Sequence, residues 1–290
     1  MPSLRDIRRR IKSVKGTAQI TKAMQMVAAS KMRKAQQLAV NGRPYAIQLN
    51  RVLVSLKDRV DSSVHPLLAE REGGRELVVL LSTDRGLCGG LNTNLCREAL
   101  RYDTKTTDFV SVGRKGTQFL ARSGRTMVAE FPLKDTPGFL ETKNISKFVI
   151  DRFLEGAANR VTVLYPRFVN TLSQIPTAIP VLPITSLEEA GLKLGEEYGE
   201  AIDPSEQILI EPSPLDVLED ILPYYIHFEL FQLLLGTRAS EHSARMVAMK
   251  SATDNAKSLV KDLTLEYNKA RQASITNEIL EISTAQLALS

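Results

Sequence analysis

Chemistry would first be sought in the segment Ser82-Thr83-Asp84-Arg85-Gly86-Leu87-Cys88-Gly89-Gly90-Leu91-Asn92. It follows a strand-like segment over 76–82 and precedes a helical pattern, the place where phosphate-binding loops sit. Its spacing is neither the GxGxxG of dinucleotide sites nor that of a P-loop, which ends in Gly-Lys-Ser/Thr. A tight turn is the expected role, with phosphate binding the lesser alternative. Cys88 would be a nucleophile if the helix N-terminus stabilised its thiolate, but no His accompanies it, so packing is expected. His65, His227 and His242 are scattered and, with only Cys88 and Cys96, cannot build a zinc site by spacing. No catalytic residue, metal site or cofactor is expected.

The elements that would position these residues follow from composition and periodicity. The chain has 290 residues, 43% hydrophobic and 24% charged, with 6% aromatics and no Trp. That is enough apolar side chain for a core, which excludes a wholly disordered chain, and the plentiful straight-chain helix formers argue against an all-β fold. The apolar runs 77–81 and 228–235 fall far short of the roughly 20 residues that span a bilayer. The basic start at Arg5, Arg8, Arg9 and Arg10 runs without a cleavage-like break into a helical pattern, so it reads as mature protein.

Ser3 followed by Asp6 marks a helix start. From there Ile7, Ile11, Val14, Ala18, Thr21, Gln25, Ala28, Met32, Ala35 and Ala39 recur at steps of four and three, a heptad seam whose small residues admit a close partner helix. Gly42 and Pro44 should bend the helix, and Tyr45, Leu49, Val52 and Leu56 resume the spacing to about Lys57. Met246, Met249, Thr253, Ala256, Val260, Leu263, Tyr267 and Ala270 form a matching seam on a last helix expected from about Pro223 to Ala288. A compact domain between the two makes antiparallel pairing the economical arrangement. In that domain 76–82, 108–112, 161–165 and 179–184 read as strands, and 92–102, 115–122 and 144–159 as helices, which predicts an α/β layer with a largely parallel sheet.

Charge is uneven. Residues 1–57 hold thirteen Lys and Arg against the single acid Asp6, while the whole chain is only +5. The stretch 186–220, with eleven acids and one Lys, reads as a solvated loop. Basic charge invites a nucleic-acid reading, but the first 44 residues offer no aromatic for base stacking. An acidic protein surface would satisfy the same charge. Met24, Met26 and Met32 form a plastic group in which Met32 lies on the seam and Met24 lies off it and is expected exposed.

Thr21-Lys22-Ala23-Met24-Gln25-Met26-Val27-Ala28-Ala29-Ser30-Lys31-Met32, the segment 82–92, and the stretches 241–246 and 267–276 closely resemble the gamma subunits of F-type ATP synthases. The resemblance implies an α/β fold: a long antiparallel coiled coil of N- and C-terminal helices with a central Rossmann-like α/β domain. The domains expected are a coiled-coil helix over 1–60, the α/β domain over 75–195 and a coiled-coil helix over 213–290. It implies a non-catalytic rotor shaft turned by proton or sodium-ion flow inside a ring of alpha and beta subunits, with an epsilon subunit and a membrane c-ring as further partners and no nucleic acid. The setting implied is peripheral to the cytoplasmic side of a bacterial inner membrane. Residues carried over as partner contacts are Met24, Arg245, Arg271, Gln272, Thr276 and Glu278; Asn277 stands where the family also has Gln. Ile275, Ile279, Ile282, Leu287 and Leu289 are expected to meet an apolar sleeve. Plastid members carry an added dithiol segment, and Cys88 and Cys96 do not lie in one, so no thiol switch is expected. A coiled-coil nucleic-acid binder and a small nucleotide-dependent enzyme are the competing readings.

Overall fold

A computed structural model describes residues 3–56, 65–71, 73–132, 137–184 and 211–288. The chain divides into two compact units, one of Met1–Ala28 with Arg245–Ser290 and the other of Ala29–Ala244.

The first unit is a pair of helices, drawn from α1 (Leu4–Asn41) and α6 (Pro214–Ala288). At the start of α1 the Ser3 hydroxyl accepts the Asp6 amide at 3.2 Å and donates to the Asp6 carboxylate at 2.7 Å, so an orphan amide is satisfied and a negative charge sits on the positive end of the helix dipole. Two cross-helix contacts set the pairing. Arg8 donates to the Tyr267 hydroxyl, and Thr21 meets Thr253 at 2.7 Å. Moving up one helix thus corresponds to moving down the other, and the pair is antiparallel. Ile7, Thr21 and Ala28 on α1, and Met249, Thr253, Ala256 and Leu263 on α6, are buried along the seam. The pairing ends where the seam ends: from Arg271 to Thr284 only Ser274 is less than exposed.

The second unit is built on a five-stranded sheet. Its strands are β1 (Glu76–Leu81), β2 (Thr107–Val112), β3 (Met127–Phe131), β4 (Arg160–Phe168) and β5 (Gln174–Leu182), in the order β3-β2-β1-β4-β5. All neighbours are parallel except β4 and β5. Between them run α3 (Leu91–Ala99), α4 (Arg114–Arg122) and α5 (Phe139–Leu154). β1 is central and apolar from Leu77 to Leu81, where both its faces are covered. Val78 and Leu80 join Leu95, Phe109, Leu120 and Leu164 in one core, while Leu77, Val79 and Leu81 join Val149, Phe153, Leu222, Ile226 and Leu230 in another. Each such side chain contributes about 1.5–3 kcal/mol of burial. The order places the topological switch between β1 and β4, as in doubly wound sheets.

Several expectations need correction. β3 was not expected; it is a short edge strand, mostly half-buried, with the polar Glu130 in it. The helix expected over 144–159 is α5, displaced five residues towards the N-terminus at both ends. The last helix begins at Pro214, not near Pro223, because Ser213 and Asp216 make a second hydroxyl-carboxylate cap and Pro223 is carried inside the helix. Residues 214–220 of the acidic stretch are therefore helix rather than loop, and 185–210 lie outside the described residues. At Gly42 the first helix is interrupted for one residue, and α2 (Arg43–Leu56) continues it with Pro44 in its first turn, where a missing amide costs little. Lys57 lies outside the described residues.

Candidate functional site

The glycine-rich loop between β1 and α3 bonds within itself and to the start of α4 and to α6. Ser82, 1% exposed, accepts the Gly116 amide at 2.7 Å and donates to the Gly113 carbonyl at 2.9 Å. Gly113 has φ 98°, and a Cβ there would lie 2.4 Å from the Ser82 carbonyl oxygen, so glycine is required for the close approach. Asn92 donates to the Thr83 hydroxyl at 2.8 Å and to the Cys88 thiol at 3.3 Å, and Thr83 donates to the Arg85 carbonyl at 2.8 Å. Cys88 is buried inside this turn, and burial pushes the half-buried Cys96 thiol up. These contacts support the reading of a structural turn.

The three histidines are all buried. His65 Nδ1 accepts the Leu67 amide at 3.2 Å, and its pKa is lowered by burial, against a raising influence of Glu219. His227 on α6 is hydrogen-bonded to Ser146 on α5; burial lowers its pKa and Lys143 adds to the effect. His242 is 2% exposed. Among the described residues no three His, Cys, Asp or Glu side chains converge as metal ligands, and no helix is long and apolar enough to cross a membrane.

The candidate partner surface lies on the helices. Met24 is half-buried rather than exposed, because it sits at the flank of the seam; the exposed members of its neighbourhood are Met26 (58%) and Val27 (57%). Met32 is buried, as its seam position requires. Arg245 is half-buried. Arg271, Gln272, Thr276 and Glu278 are exposed and lie within about two turns of one another on α6. The Thr276 hydroxyl donates to the Gln272 carbonyl at 2.9 Å, and Glu278 accepts from Ser274 at 3.3 Å, so both side chains are ordered along the helix. Ile275, Ile279, Leu280 and Ile282 are 47–68% exposed on the same unpaired stretch. Of the apolar sleeve group, Leu287 and Leu289 lie outside the described side chains. On α1, Arg5, Arg8, Arg9, Arg10, Lys12 and Lys15 are exposed, forming a basic face. Sequence reasoning missed Arg238, a charged residue 1% exposed in a largely apolar run of α6; Glu241 at i+3 is the one local signal of its partner.

Such a helix pair, basic along one arm and bare at its tip, with an α/β layer elsewhere in the chain, has close counterparts. The family model described as ATP synthase matches residues 3–289. The ATP synthase gamma chain of Opitutus terrae is 50% identical over 99% of both chains, and that of Methylacidiphilum infernorum 49% identical over the whole of both. A chain of the central stalk and c-ring of Tetrahymena thermophila mitochondrial ATP synthase is 28% identical with a TM-score of 0.61, covering 80% of this chain and 99% of that one. A chain of the Euglena gracilis mitochondrial enzyme in rotational state 3, 22% identical, shares the fold with a TM-score of 0.67 over 99% of this chain and 94% of that one. By its full-length identity to these relatives and the family match across nearly every residue, this chain belongs to the ATP synthase gamma chain family.

Proposed function

We propose that the chain is the central rotor shaft of an F-type ATP synthase, coupling ion-driven rotation to conformational change in catalytic beta subunits during synthesis and running in reverse during hydrolysis. The carrying observation is the antiparallel helix pair that gives way to a single exposed helix after Ala270. Such a shaft is not a featureless cylinder. It presents different side chains to each direction, and a partner whose open and closed states contact them unequally is shifted between those states as the shaft turns. A rotation that takes a site from mostly open to mostly closed requires about 5 kcal/mol of differential contact, which many modest contacts can supply.

In this reading Met24, Arg245, Arg271, Gln272, Thr276 and Glu278 face the ring of alpha and beta subunits, while epsilon and the c-ring engage the α/β portion. In this reading the sequence divisions 1–60 and 213–290 serve as the shaft and 75–195 as the α/β domain. It carries no reaction of its own, and proton- and sodium-driven complexes fit it equally. The bacterial origin of the relatives supports a peripheral place on the cytoplasmic side of an inner membrane. The nucleic-acid reading gains nothing from the family or the fold.

The test is coexpression with alpha and beta subunits and purification through a tag on this chain. Recovery of an alpha-beta ring around one copy, with ATPase activity that the isolated chain lacks, is expected. A chain that elutes alone, or that hydrolyses ATP by itself, would overturn the proposal.

A further inference from the structure

Arg238 leads the large side chains that are fully enclosed in the described structure, at 1% exposure. A guanidinium stays charged at any physiological pH, so its burial requires carboxylates around it. Glu241, one turn on and 2% exposed, accepts a hydrogen bond from its Nη1. That pair alone would balance the charge within one helix. Yet Arg238 also reaches Asp84 of the glycine-rich loop, 3.5 Å from its Nη2. Asp84 in turn accepts the Arg114 amide at 3.0 Å at the start of α4. A chain of charge and hydrogen bonds therefore runs from α6 through the loop to the sheet-covering helix α4.

Side-chain bonds among Thr83, Arg85, Cys88 and Asn92 fix the shape of the loop, and the contact of Asp84 with Arg238 ties it to α6. At its tip Leu87 is 62% exposed with φ 62°, a left-handed conformation that a branched apolar residue keeps only where its surroundings impose it.

We propose that Arg238 is a positioning residue that locks the glycine-rich loop, and with it the Leu87 tip, to α6, so that the α/β layer and this helix carry load together. The lock stands on the contacts alone; its consequence for coupling rests on the rotor reading.

Two variants test it. Asp84→Asn keeps an acceptor for the Arg114 amide and leaves Arg238 paired with Glu241, but removes the charge that joins them. Arg238→Met with Glu241→Gln removes the link from the other side without stranding a buried charge. Hydrogen exchange on the full chain is expected to rise about tenfold at residues 85–90 in both, with β1, β2 and α6 unchanged. In the assembled complex, ATPase without an ion gradient should be retained while ATP-driven pumping against a gradient falls at least about twofold. Wild-type exchange in the loop of both variants, or an equal rise throughout the unit, overturns the lock. A loosened loop with undiminished pumping against a gradient overturns its role in coupling. A loosened loop in a chain whose wild type assembles with no alpha and beta subunits overturns the rotor reading and leaves the lock standing.

Discussion

The hydroxyls of Thr21 and Thr253 meet at 2.7 Å between the two terminal helices, and both side chains are buried. Either hydroxyl can be the donor across the seam, and Thr253 has an alternative acceptor in the Met249 carbonyl at 2.8 Å. Thr21 has an alternative acceptor in its own Ala18 carbonyl at 3.2 Å. Neither hydroxyl is stranded when the other is removed. Thr21→Val and Thr253→Val are each expected to cost about 1 kcal/mol, and the double variant no more than either, giving a coupling of about 1 kcal/mol. Urea unfolding of the four proteins measures it; additive costs would show that the two threonines act separately.

Both seams were legible because a seven-residue apolar repeat admits one face only, and Ile7, Thr21, Thr253 and Leu263 are buried where it places them. The central strands were legible for a related reason, since 77–81 is apolar at every position. β3 was not, because an edge strand needs to bury little, and Met-Val-Ala-Glu-Phe carries neither alternation nor a continuous run. Periodicity alone puts the start of α6 near Pro223, because the acids and that proline speak for a loop, whereas the Ser213 cap sets it at Pro214. Arg238 and Asp84 share no local pattern, and their meeting is a product of the tertiary fold alone.

The buried histidines predict a dependence on pH. His227 and His65 both have pKa values held below the ordinary 6.5, so the unfolded chain binds more protons as pH falls through that range. Stability from these groups is present in full above about pH 6.5 and is lost as pH falls towards their lower folded values. The urea midpoint should therefore decline as pH falls below about 7. His227→Gln, which can still bond Ser146, should make that decline shallower. An identical slope in the variant would mean that His227 contributes nothing to it.

Met24 stands at the flank of the seam among the exposed Lys22, Arg33 and Lys34. If it passes an acidic loop of beta as the shaft turns, Met24→Lys adds an ion pair worth about 1 to 3 kcal/mol when partly desolvated. One rotational position then becomes too stable. Hydrolysis is expected to continue while ion pumping per ATP falls, because an added well obstructs rotation under load more than it obstructs nucleotide chemistry. Membrane vesicles containing the variant complex provide the measurement, and an unchanged pumping ratio would reject the contact.

The bare end of α6 separates two kinds of contact. Ile275, Ile279 and Ile282 are 47%, 61% and 68% exposed with no partner helix beside them among the described residues, an apolar surface that favours an external sleeve. Such contacts are nonspecific in angle and suit a bearing. Arg271 and Gln272, also exposed, can make directional hydrogen bonds, which in the proposed rotor would change from one rotational position to the next. Truncation after Glu281 is therefore expected to weaken assembly and torque only in part. Arg271→Ala with Gln272→Ala should instead lower coupled turnover in a complex that still assembles, by about tenfold if one charge-assisted bond worth about 1.4 kcal/mol is lost at the angle where it matters. Subunit stoichiometry and ATPase rate of the two complexes decide between them. A truncated complex that assembles fully but does not turn over, beside a double variant that behaves as wild type, would reverse the assignment of bearing and directional contact.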